Sequence, residues 1–172
     1  MTVLIRPIQE KENENVYQMF QDIPKEENKA RNHAHGMTRD EFEKFCKKMN
    51  SCSVESAKGK KELPNGDVPQ TVYIIFDNDT PVGFGKFRPF LDETCIKNRA
   101  GNFAYMISPK HRGKGYATQF LSFIKDESKR LGLSEIEGTA LKGNLASCRV
   151  MEKNSGKVKE CIEADIIYII TL

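Results

Sequence analysis

Apolar residues at Val3 and Ile5 alternate with polar neighbours before Pro7, a period of two that predicts a short strand. The period then lengthens. In EKENENVYQMFQDI the apolar positions Val16, Met19, Phe20 and Ile23 recur as they do on one face of a helix. A second helix is predicted over TRDEFEKFCKKMN, where Thr38 and Glu41 have capping-box spacing and Phe42, Phe45, Cys46 and Met49 share a face. From Ser51 to Gln70 the chain turns polar, with Gly59, Pro64, Asn65, Gly66 and Pro69, and reads as a loop. TVYIIFDNDTPVGFGKF reads as a hairpin, two β-branched and aromatic runs around a turn-forming DNDTP. Arg88 to Gly101 reads as a further loop, and NFAYMIS as a strand.

After that strand comes a helix with Ala117, Phe120, Leu121, Ile124, Ser128 and Leu131 on its buried side, ended by Gly132. A strand near SEIEGTAL follows, then a short helix from Asn144 to about Lys153, then two strands, GKVKECI and DIIYIITL. The unbroken apolar run of the last predicts a strand covered on both faces. Strands and helices in this order make an α/β chain with a mixed sheet, and 172 residues without repeats or low-complexity tracts suit one domain over 1–172.

Composition narrows the function classes. A net charge of +3 is too small to imply a polyanionic partner, and basic residues interleave with acidic ones without an aromatic-basic stripe, so no nucleic acid is expected. The start lacks the features of a secretory signal, and no apolar run approaches the ~18 residues of a membrane span, so a cytoplasmic protein with no membrane partner is expected. Cys46, Cys52, Cys95, Cys148 and Cys161 include no Cys-x-x-Cys pair, and His33 and His35 stand in a polar segment without nearby cysteines. The expectation is free thiols, surface histidines and no metal.

The chemistry concentrates in ISPKHRGKGYATQFL, Ile107 to Leu121, where a strand meets a helix. A glycine-containing turn at such a junction aims unpaired backbone N–H groups outward, and the helix dipole adds roughly half a positive charge. Gly113 and Gly115 keep the backbone bare while Arg112 and Lys114 add positive charge, a combination suited to phosphate. The spacing is neither that of the Walker A loop nor that of the dinucleotide fingerprint.

On these residues the chain resembles the GNAT superfamily of acetyltransferases, whose pyrophosphate loop is written Arg/Gln-x-x-Gly-x-Gly/Ala; Arg112, Gly115 and Ala117 fill it. The resemblance continues in NLASCRVMEKNSG, where Asn144, Ser147, Glu152 and Lys153 match an Asn-x-x-Ala/Ser segment with its acidic-lysine pair. The final ~110 residues are similar to a bacterial branch of predicted acetyltransferases. The resemblance implies a mixed sheet of about six to seven strands flanked by about four helices, with a splayed parallel strand pair holding acetyl-CoA. It further implies pantetheine pairing to Met106, Ile107 and Ser108, and the diphosphate on the amides of Arg112, Gly113, Lys114, Gly115, Tyr116 and Ala117, with the Thr118 hydroxyl nearby. Asn144 and Ser147 would meet the pantetheine or acetyl end, and Lys153 the cofactor's outer phosphate.

The implied reaction is direct acetyl transfer to a primary amine of a small molecule or protein, without an acyl-enzyme. The amine must first lose a proton at a cost of about 4–5 kcal/mol at neutral pH, so a carboxylate or an ordered water chain is required. Glu137, on the strand opposite the cofactor strand, is the first candidate base, with Asp92 and Glu93 as alternatives. Two positions depart from the family pattern: Met151 stands where many members carry a thiolate-protonating tyrosine, and Asn102 where the related branch has histidine. Tyr105 is the nearest remaining hydroxyl, and Cys148 a second donor. The alternative function is a non-catalytic acyl-CoA-binding or regulatory module on the same fold. A homodimer through the sheet edge or late strands is the family's habit.

Overall fold

The computed structural model describes residues 3–172. Strand β1 is Val3–Pro7, and helix α1, Glu14–Asp22, begins where the Asn13 side chain accepts from the Val16 N–H and buries Val16, Met19 and Phe20. Helix α2, Arg39–Ser51, carries the complete Thr38–Glu41 capping box. Between these helices lies a feature absent from the sequence reading, a two-stranded hairpin of β2 (Glu26–Glu27) and β3 (Ala30–Arg31), turned through Asn28 and Lys29, both at positive φ. Residues this polar carry no alternation of the kind that marks a half-buried strand.

The hairpin β4 (Thr71–Asp77) and β5 (Thr80–Phe87) forms as expected. The stretch from Arg88 to Gly101, expected as loop throughout, contains the short helix α3, Glu93–Lys97, nucleated by Asp92, whose side chain accepts from the Cys95 N–H. Strand β6 (Phe103–Ile107), a 3-10 turn (Pro109–His111), helix α4 (Tyr116–Arg130), strand β7 (Glu135–Leu141), helix α5 (Leu145–Lys153) and strands β8 (Lys157–Ile162) and β9 (Asp165–Thr171) complete the order. Gly132, at φ +77, ends α4 by letting its own N–H and that of Leu133 reach back to Lys129 and Ser128.

The strands divide into two antiparallel sheets, β1-β4-β5-β6 and β7-β9-β8. Among the described residues those seven match the expected number, the β2–β3 hairpin adds two, and the α-helices number five rather than about four. The expected parallel pair is β6 and β7, but they share no ladder. Their joint is one residue: Asn102 gives its backbone N–H to the Glu137 carbonyl and takes the Glu137 N–H on Oδ1, while its Nδ2 donates to the Arg88 carbonyl. Beyond this joint the strands separate, and the space between them is the cleft described below.

Two apolar cores hold the sheets. One gathers α1 and α2 around Phe20, Phe42, Ile74 and Phe84; the other joins both sheets to α4 and α5 through Phe120, Leu121, Ile124, Ile136, Met151 and Tyr168. Helix α4 lies so close that a Cβ on Gly85 would sit 2.1 Å from the Phe120 ring, which is why β5 has glycine there. Strand β9 is not covered on both faces: Tyr168 and Ile170 are buried while Ile167 and Ile169 are only half-buried. Its apolar run continues because it is the middle strand of its sheet, not because helices cover both sides. Among the described residues no helix is long and apolar enough to cross a membrane.

Candidate active site

The cleft between β6 and β7 opens into a cavity of about 930 Å³, floored by β5 and β6 and walled by the β2–β3 hairpin, the loop before α4, and α5. At one end, Gly113 and Gly115 adopt φ of +79° and +84°, which glycine tolerates and other residues resist. This swings the chain so that the backbone N–H groups of residues 113–118 meet no acceptor among the described residues. A Cβ at either glycine would touch nothing within 4 Å, so it is backbone conformation, not steric clearance, that requires glycine. The outcome is a nest of amides at the start of a 15-residue helix, facing open space.

The charges beside this nest differ from the simple expectation. Arg112 is not a loose cation: its guanidinium grips both Glu27 carboxylate oxygens at 3.1 and 2.6 Å and its Nε donates to the Ile107 carbonyl, tying the loop to the hairpin. Lys114 and Lys153 line the cavity without a carboxylate partner among the described residues. The Tyr116 ring points away into the core and donates to Asp77 at 2.5 Å, so its part in the nest is its amide. Ala117 and Thr118 line the cavity, as do Met106 and Ile107, whereas Ser108 faces a smaller pocket with its hydroxyl buried and unpartnered.

Where the strands diverge, three polar side chains meet. Tyr105 Oη donates to Ser147 Oγ at 3.2 Å, and Asn144 Nδ2 donates to the same oxygen at 3.0 Å. Asn144 also caps α5 by accepting from the Ser147 N–H, so its structural role and its place in the cavity coexist. Burial pushes the Tyr105 phenol up to about 12, with the bond to Ser147 opposing. Met151 packs against Gly138 and Phe103 in the core, and Cys148 Sγ donates to the Leu141 carbonyl.

The structure does not bring Glu137 into the cavity. Its backbone serves the Asn102 joint, and its carboxylate pairs with Lys159 on β8. Asp92 is occupied in capping α3, and neither it nor Glu93 lines the cavity. The carboxylates that do are Glu26 and Glu27, each paired with an arginine.

Sequence reasoning missed the basic floor on the hairpin side. Phe84 and Lys86 share one face of β5, Arg88 follows directly after the strand, and all three line the cavity with Arg31 and His33. Lys86 Nζ donates to the Arg31 carbonyl at 3.2 Å, and burial, then the Arg88 charge, lower its pKa to about 8. His33 is lowered chiefly by Lys86, then by burial and Arg31. The available signal was the period-two pattern itself, which sets Lys86 and Arg88 on the side that buries Phe84.

The chain matches the family model described as "Acetyltransferase (GNAT) domain" over residues 2–157. No curated protein matches it. Solved structures share its fold: a Salmonella typhimurium acetyl transferase that modifies the N-terminal serine of ribosomal protein L7/L12 (15% identity, TM-score 0.64, 99% of this chain and 95% of that one). A Streptococcus pneumoniae GNAT acetyltransferase is similar at 14% identity and TM-score 0.63, covering 99% and 100%. The Campylobacter jejuni N-acetyltransferase PseH, in complex with acetyl coenzyme A, is similar at 11% identity and TM-score 0.59, covering 99% of each chain. The chain therefore belongs to the GNAT acetyltransferase family, acyltransferases with acetyl-CoA as co-substrate.

Proposed function

We propose that this protein transfers an acetyl group directly from acetyl-CoA to a primary amine. The observation that carries the reading is the row of unaccepted amides from Gly113 to Thr118, which matches a diphosphate in charge and in donor number. Lys114 and Lys153 add charge at its edge, and the β6 backbone at Met106 and Ile107 faces the path of a pantetheine arm. Ser108 is not part of that path. The co-substrate supplies an activated thioester; the protein's task is to position it, exclude water and move two protons.

Tyr105 supplies one proton. Its phenol is protonated at neutral pH and is held at the fork of the strands by Ser147, itself fixed by Asn144, where it would protonate the leaving thiolate. The acceptor's own proton leaves through water, because both cavity carboxylates are paired with arginines and Glu137 is paired with Lys159. No cysteine lines the cavity among the described residues, which fits transfer without an acyl-enzyme.

The test is calorimetry with acetyl-CoA, followed by thiol release with a mixed panel of amines. Binding that is lost in Gly115→Glu, with turnover on at least one amine, is the expected result. Absence of binding, or binding untouched by Gly115→Glu, would overturn the assignment; binding without transfer to any amine would favour the non-catalytic module.

A further inference from the structure

The floor of the cavity beside the hairpin has more positive charge than its surroundings neutralise. Of the five cations there, three are matched: Lys29 and Arg99 both meet the Asp165 carboxylate, with Glu163 also on Arg99, and Arg31 meets Glu26. Lys86 and Arg88 meet no carboxylate among the described residues. Lys86 reaches only a backbone carbonyl; the Arg88 guanidinium reaches only the Cys95 sulfur at 3.4 Å, and its Nε is buried with no partner. A buried guanidinium N–H without an acceptor is a costly arrangement, which an added acceptor would relieve. His33 faces the same space and is held toward its neutral form mainly by Lys86, so its imidazole reports on the charge there.

These cations stand apart from the diphosphate nest in the fold. Lys86 lies in β5 under the hairpin, opposite Ala104 of β6, with Arg88 just past the strand's end, whereas the nest lies past the end of β6, at the start of α4. Resting on the acetyltransferase reading, we propose that the acceptor is a small anionic amine, one whose carboxylate or phosphate group is received by Lys86 and Arg88 beneath the β2–β3 hairpin. The same two charges repel a second ammonium, so polyamines and lysine-rich peptides are rejected. Lys86 and Arg88 are thus specificity residues: they hold the acceptor by the end that does not react.

Two arms test this. In the first, the protein is held with excess coenzyme A so that the nest is filled, inorganic phosphate is titrated in, and the His33 imidazole is followed by NMR across pH. Phosphate is expected to raise the His33 pKa saturably, and Arg88→Gln or Lys86→Gln to abolish the effect. An unmoved His33 in the wild type, or an equal response in both variants, overturns the proposal. If coenzyme A does not bind, the acetyltransferase reading fails by itself, while the response to phosphate and its loss in the variants still decide the anion site.

In the second arm, matched acceptors are compared: tyrosine against tyramine, and phosphoethanolamine against ethanolamine. The member of at least one pair that carries the acid group is expected to have a kcat/KM roughly tenfold or more above its partner, because the analogue lacking that group leaves the Lys86 and Arg88 donors unpaired. That preference should collapse in Arg88→Lys and Lys86→Gln with the KM for acetyl-CoA unchanged. Preference for the members lacking the acid group, or a preference the variants leave intact, overturns it. The two pairs also separate a carboxylate from a phosphate.

Discussion

Tyr105 and Lys86 line the same cavity, and burial shifts both, in opposite directions of charge chemistry. Burial keeps the phenol protonated to about 12, so the acid it supplies should survive alkaline conditions: kcat is expected not to fall as pH rises to 10. Tyr105→Phe should lower kcat by roughly 10²-fold and leave the KM for acetyl-CoA nearly unchanged, measured by thiol release. For Lys86 the folded pKa, about 8, lies below the ordinary value of 10.5. The fold therefore bears the full cost of charging Lys86 below pH 8 and sheds it as pH rises to 10.5, where the unfolded chain also loses its proton. In phosphate-free buffer, Lys86→Met should raise the melting temperature at pH 7, and the gain should shrink toward pH 10.5. Tyr105 is legible in the sequence by its distance from the glycine loop. Lys86 is harder, because a lysine within an apolar run reads as its exposed face until the strand's neighbours are known.

The elements show what local pattern specifies and what it leaves open. Helices α1, α2 and α4 have caps and apolar stripes that settle them within a residue or two. Helix α3 has five residues and the β2–β3 hairpin two per strand, too short for a period to register. Two glycines separate backbone conformation from packing. Gly115→Ala meets no atom within 4 Å, so its cost is the left-handed conformation alone, about 1–2 kcal/mol, and acetyl-CoA affinity should weaken with it. Gly85→Ala strikes the Phe120 ring and should cost at least as much, about 1–3 kcal/mol in urea unfolding, with partial recovery in the double variant carrying Phe120→Leu.

For the whole molecule, the order of the main elements and the glycine loop between β6 and α4 follow from sequence, whereas the division into two sheets does not. That division depends on Asn102, whose polar side chain between two strands gives no sign in sequence that it replaces a ladder. Asn102→Ala leaves the Glu137 N–H and the Arg88 carbonyl without their partner and should cost about 1–3 kcal/mol in chemical denaturation. The basic floor is legible only in part: period two puts Lys86 and Arg88 on the side of Phe84, but not under a hairpin more than fifty residues earlier.

A seam fastened at one end behaves like a book held at its spine. Amide deuterium uptake along β6 and β7 should be slowest beside Asn102 and quicken toward Ile107 and Leu141, where no rung crosses between the pages. A nucleotide thioester lying along that margin would supply the missing rungs, so loading should flatten the gradient and stiffen the protein as well as equip it for chemistry.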